Sequence, residues 1–166
     1  MLIGRIHMRK YLPHILIISF VFLLTPTAQV ATYAGKDELI ESCREWVRKF
    51  PDDYMAHCSL GGAYLEAERY KEAIRAFKRS IKIKPDFAMA HYGLGYTYSK
   101  LGKYKEAMMW YQKAISIDPD FAEVHYNLGL LYLLAGDEDS ALEHYKILKE
   151  LDSELANTLF DCIYKE

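Results

Sequence analysis

Residues 88–121 align without gaps to residues 54–87 before them and to residues 122–155 after them, each one period of 34 residues. Such a recurrence constrains the fold more than any other feature of the chain. A unit this short cannot bury an apolar face alone, and stacked copies bury one continuous core. Within each copy, apolar residues recur at helical spacing, a short turn intervenes, and a second helical stretch ends near a corner. In the second copy Leu94, Tyr98 and Leu101 point inward from the first helix, Gly102 breaks it, and Ala107, Tyr111, Ala114 and Ile115 face back from the second. Small residues such as Gly95 and Ala107 let the helices approach, and the aromatic rings fill the adjoining space. Pro85 and Pro119 cannot continue the preceding helix, so with Asp86 and Asp120 they turn the chain into the next copy. The pattern predicts an all-α solenoid of antiparallel helix hairpins.

The recurring positions are His57, Leu60, Gly61, Tyr64, Ala73, Phe77 and Pro85 in the first copy. They are His91, Leu94, Gly95, Tyr98, Ala107, Tyr111, Ala114 and Pro119 in the second, and His125, Leu128, Gly129, Tyr132, Ala141 and Tyr145 in the third. This pattern resembles the tetratricopeptide repeat. The resemblance implies a right-handed superhelix, with repeats at 54–87, 88–121 and 122–155, and a role in binding protein rather than in catalysis.

Both ends read as caps. Residues 35–53 hold a helical pattern with Leu39, Ile40, Cys43, Trp46 and Val47 on one side, closed by Phe50-Pro51-Asp52, which mirrors the corner at Pro85. Residues 154–166 continue as a helix with Leu155, Leu159, Cys162 and Ile163 in one apolar stripe and polar residues elsewhere, the cap that a repeat array needs for solubility. The third copy departs from the pattern at Leu148, where a small residue is usual, and at Ser153, where proline would stand.

Residues 1–34 read as an export signal: Arg5, Arg9 and Lys10 precede the apolar run Ile15 to Leu24, then Pro26 breaks the run and small residues lead to a cut after Ala34. The alternative is an uncleaved anchor formed by residues 11–24. The expected location is therefore periplasmic or secreted, of the bacterial envelope type, with any membrane attachment confined to that anchor. Of the chain's 21 basic residues three lie in this segment, which has no acid, so the remainder sets 18 basic against 23 acidic residues. That balance argues against a nucleic-acid partner, which calls for a basic footprint.

His57, His91 and His125 recur at the repeat period, which places them about 10 Å apart on successive helices, too far to share a zinc ion at about 2 Å from each. No phosphate loop, His-Glu-x-x-His, Cys-x-x-Cys or nucleophile elbow occurs, and the acids at Asp137, Glu138 and Asp139 suit a helix start. No enzyme activity, cofactor or metal is expected. Three cysteines, Cys43, Cys58 and Cys162, leave at least one unpaired thiol; Cys43 and Cys58 could bridge adjacent helices, or all three could serve as small packing residues.

A second stripe runs beside the core stripe of each first helix, at the second, fifth, ninth, twelfth and thirteenth positions of the repeat. In the family this face lines the concave groove. Here it carries Met55, Cys58, Gly62, Leu65 and Glu66, then Met89, Tyr92, Tyr96, Ser99 and Lys100, then Glu123, Tyr126, Leu130, Leu133 and Leu134. The candidate peptide-binding residues are Met89, Tyr92, Tyr96, Lys100, Tyr126, Leu130 and Leu133. Some of these side chains could instead fill the seam between neighbouring first helices. Certain relatives grip a carboxy-terminal carboxylate with Lys, Asn and Arg at the fifth and ninth positions; Cys58, Gly62, Tyr92, Tyr96, Tyr126 and Leu130 stand there instead, which contradicts a clamp of that kind. Two roles remain open: an adaptor that takes a protein segment in the groove, and a structural subunit whose groove is permanently covered by a copy of itself or by another protein.

Overall fold

A computed structural model describes the backbone of residues 26–164 and the side chains of residues 35–164. The expected export signal at residues 1–34, apart from its last nine residues, and the candidate anchor at residues 11–24 lie outside the described residues. The chain divides into two compact units, the second spanning Lys36–Lys165. Of the first, residues 26–35 are helical.

Eight α-helices and no strand occur among the described residues: α1 Pro26–Lys49, α2 Tyr54–Glu66, α3 Tyr70–Ile83, α4 Ala88–Lys100, α5 Tyr104–Ile117, α6 Ala122–Ala135, α7 Glu138–Leu151 and α8 Ser153–Tyr164. Helix α1 starts well before the helical pattern at residue 36. Pro26 is tolerated at a first helical position, where its missing N–H has no intrahelical partner in any case.

The hairpins α2/α3, α4/α5 and α6/α7 form the body of the second unit, and each second helix also packs on the next first helix. One turn recurs in all three. The N–H of Arg69, Lys103 and Asp137 donates to the carbonyl of Tyr64, Tyr98 and Tyr132 at 2.8, 2.9 and 2.9 Å. This is the six-to-one bond of a Schellman ending, which places the residue before it in the left-handed region. Gly102 and Gly136 fill that position at φ 71° and 79°, whereas the first repeat puts Glu68 there at φ 58°.

The core follows the repeat. Leu94 and Leu128 are each 0% exposed, and such a side chain contributes roughly 1.5–3 kcal/mol. Close approach of the paired helices needs the glycines: a Cβ at Gly95 would lie 2.5 Å from the ring of fully buried Tyr111, and one at Gly61 would lie 2.7 Å from Phe77. Leu148, the departure from the repeat pattern, is fully buried with Ala156 and Leu159, so it forms the seat of α8.

Three expectations need correction. Leu101 is 40% exposed rather than inward, because it is the C-cap of α4 and its side chain leaves the helix face at the turn. Of the five stripe residues of α1, Ile40 and Cys43 are buried and Val47 is half-buried, while Leu39 and Trp46 lie on the exposed side. The buried pair belongs to the core cluster of Leu60, Tyr64 and Phe77, and Arg44 of α1 donates to the Tyr64 hydroxyl of α2 at 3.1 Å. Finally, α8 is not polar outside its stripe: Phe160 and Tyr164 are exposed and stack with centroids 4.5 Å apart, Phe160 also meeting Tyr145 at 5.5 Å.

Candidate interaction surface

The second stripe of α2, α4 and α6 divides into an open part and a covered part. Met55 and Met89, at the second position of the first two repeats, are 48% and 46% exposed. Glu123 occupies that position in the third repeat and is exposed. A Cβ at Gly62, two turns along α2 from Met55, would meet nothing within 4 Å, so the surface is open there too. Lys100 is exposed and its Nζ lies 5.1 Å from the centre of the Tyr96 ring, a cation–π contact that holds the ammonium along the aromatic surface.

Tyr92 and Tyr96 are half-buried. Tyr92 meets Tyr96, Tyr111 and Phe121 of its own repeat with centroids 6.1, 5.9 and 5.1 Å apart, and one side of its ring packs on the core cluster that includes Val124 and Leu128 of the third. Burial is the main cause that raises its phenol above the ordinary value, followed by nearby Tyr96 and Glu123, while a hydrogen bond with Asn127 of α6 acts the other way. Beneath them the Tyr111 hydroxyl is buried without a hydrogen-bond partner among the described residues.

In the third repeat Tyr126, Leu130 and Leu133 are half-buried against Leu148, Ala156 and Leu159. Helix α8 occupies this part of the face, and its Leu159 would collide with a Cβ at Gly129 at 2.6 Å. Burial, then Cys162 on α8, raises the Tyr126 phenol. Leu134 turns away and is 56% exposed. Of the seven candidate residues, then, Met89 and Lys100 lie in solvent, Tyr92 and Tyr96 show one side, and Tyr126, Leu130 and Leu133 adjoin the chain's own last helix.

The three cysteines are free. Burial alone pushes the Cys58 thiol up to about 11. Burial first and a neighbouring carboxylate second raise Cys43, beside Glu66, and Cys162, beside Asp161.

The periodic histidines have a structural use that residue-by-residue reading missed. The Nε2–H of His57, His91 and His125 each donates to the carbonyl of Pro51, Pro85 and Pro119, at 2.8 Å in every case. Each imidazole thus ties a first helix to the corner that precedes it. A proline six residues before each histidine was the available signal. His125 also accepts through Nδ1 from Nδ1–H of His144 at 2.9 Å, and the Tyr132 ring stacks on His144.

These hairpins, corners and stacked first helices define a helical-repeat interaction scaffold. A family model described as "TPR repeat" matches residues 61–102 and 98–136, and one described as "Tetratricopeptide repeat" matches residues 118–156. The chain belongs to the tetratricopeptide-repeat family, whose members bind protein partners. Among solved structures it is similar to a crystal structure of MamA at 30% identity and TM-score 0.65, covering 74% of this chain and 71% of that one. A second crystal structure of MamA protein matches at 28% identity and TM-score 0.63, covering 79% and 68%. MamA from residue 41 onward of Desulfovibrio magneticus RS-1, at 24% identity, TM-score 0.64 and coverage of 75% and 71%, shares the fold. No curated protein sequence matches the chain.

Proposed function

We propose that the chain is a non-enzymatic adaptor that takes a protein segment along the open stripe of its first two repeats, in the periplasm or cell envelope. The observation that carries the reading is the pair of exposed methionines, Met55 and Met89, at one register of the neighbouring helices α2 and α4. Methionine is flexible and polarisable, and suits a surface that accommodates an apolar segment. Gly62 leaves room two turns further along α2, and Tyr96 with Lys100 adds an aromatic edge and a cation. Such a site favours an extended or helical segment with apolar anchors and an acidic neighbour. The export segment at residues 1–34, with its basic start and apolar run, supports the location.

The test compares pull-downs by the wild-type chain with those by Met89→Glu and, as a control away from the stripe on α1, Leu39→Glu. Both residues are exposed, so neither change disturbs the core. The reading expects a bound partner lost with Met89→Glu and kept with Leu39→Glu. Equal retention by both variants would place binding elsewhere. Alkaline phosphatase fused after Ala34 reports the location: activity in intact cells supports export, and its absence excludes it.

A further inference from the structure

The second helices α3, α5 and α7 carry a charge gradient from repeat to repeat. Helix α3 holds five cations and one acid, α5 two and one, α7 two and four. The gradient is arranged by register, because residues one period apart occupy equivalent places on successive hairpins. One row reads Arg75, Met109, Glu143; another reads Lys82, Ser116, Glu150; a third reads Lys71, Lys105, Asp139. All nine side chains are exposed. A fourth row, Lys78, Gln112, Lys146, does not follow the trend. On α3 the acid Glu72 pairs with Arg69 at 2.9 Å, and of the cations only Arg79 is in a salt bridge, with Asp52 at 3.1 Å. Arg75, Lys71 and Lys82 have no salt-bridge partner among the described residues, nor have Glu143, Asp139 and Glu150.

A surface that is mainly basic at one edge and mainly acidic at the other is complementary to itself under a two-fold rotation. With the axis running along α5, α3 of one copy meets α7 of its partner at the same level. Arg75 then faces Glu143, Lys71 faces Asp139 and Lys82 faces Glu150, each pair formed twice. Met109, 44% exposed, meets its own copy at the centre, with Tyr104, 45% exposed, on the same helix. Like-charged contacts in this arrangement are Lys78 opposite Lys146 and Lys105 of α5 against its own copy on the axis, set against the opposite-charged pairs of the other rows. We infer that the outer face of α3, α5 and α7 binds a second copy of this chain, forming a two-fold dimer held by these reciprocal ion pairs. The open stripe lies on the first helices, so both copies keep it, and the dimer presents two such sites to a partner.

The test is sedimentation velocity on the full chain over a concentration series at low and at high salt. The proposal expects a monomer–dimer equilibrium that shifts toward monomer as salt rises, since exposed charges are screened. It expects Arg75→Glu and Glu143→Arg each to weaken the dimer by about tenfold or more, because every change acts twice and sets like charges opposite one another. The double variant Arg75→Glu/Glu143→Arg recovers most of the wild-type constant, which no loss of fold or general change of net charge reproduces. A monomer at every concentration overturns the proposal. So does an oligomer that salt strengthens, which is the behaviour of association through an apolar segment, or a double variant as weak as the singles, which points to a different partner for this charged face.

Discussion

Two glycines on the first helices test the packing account because the same substitution should act in opposite directions at each. Gly62 and Gly95 are both helical, and replacing glycine by alanine inside a helix ordinarily gains about 1 kcal/mol in propensity. At Gly62 the new methyl meets nothing within 4 Å, so the gain stands. At Gly95 it would lie 2.5 and 2.6 Å from two ring atoms of Tyr111. That ring is 0% exposed, enclosed in the core. Forcing the methyl in costs typically about 1–3 kcal/mol in a packed interior, and an overlap on a fully buried ring belongs to the upper part of that range. Gly95→Ala is therefore expected to lose about 1–2 kcal/mol net, Gly62→Ala to gain about 1, and the two to differ by about 2–3 kcal/mol. At about 4 °C per kcal/mol for a domain of this size, the melting temperatures should separate by roughly 8–12 °C. Thermal and urea unfolding followed by circular dichroism measure both. A Gly95→Ala variant as stable as Gly62→Ala would refute the claim that glycine is needed for the close approach of α4 and α5.

Three further outcomes follow from local chemistry. Glu68 holds the left-handed turn position that glycine holds at residues 102 and 136; relieving about 1–2 kcal/mol of strain against the extra unfolded-state freedom of glycine, Glu68→Gly should raise stability by about 0.5–1 kcal/mol in urea melts. Burial first, then nearby His125, lowers the His144 imidazole from 6.5 to about 4. The unfolded chain binds that proton at higher pH than the folded one, so the contribution is fully present above pH 6.5 and is lost as pH falls toward 4. His144→Gln should flatten the stability profile in that window, and an unchanged profile would show that the imidazole is not held neutral. Cys58, pushed up from 9.0 to about 11, should hold about a hundredfold less thiolate at neutral pH than an unperturbed thiol. Its alkylation in the folded chain should be correspondingly slow, and rapid labelling would show the site to be more open than its half-buried position allows.

The fold was legible because it repeats. A period of 34 residues with Gly61, Gly95 and Gly129 at one position leaves little freedom once each glycine must admit a neighbour, whether Phe77, Tyr111 or Leu159. Less legible was which side chain of an apolar pair faces in. Leu39 and Ile40 are adjacent and similar, and only contact with Tyr64 and its neighbours selects Ile40 for burial. The candidate stripe was legible as a helical face, yet its division was not, because periodicity within α6 carries no trace of α8. That Tyr126, Leu130 and Leu133 meet Leu159 depends on the path of a helix more than twenty residues further along. The histidine ties escaped notice for a related reason: their acceptors are backbone carbonyls, which no residue type announces, and only the repeated proline hinted at them.

The central claim is that partners engage the first helices along the open stripe. Hydrogen–deuterium exchange on the chain, alone and saturated with a segment selected for binding to it, tests this most directly. The account predicts slowed exchange in α2 and α4, centred on Met55, Met89 and Tyr96, with α3, α5 and α7 unchanged at a fixed oligomeric state. Protection confined to α5 and α7, with α2 and α4 exchanging as in the free chain, would contradict it.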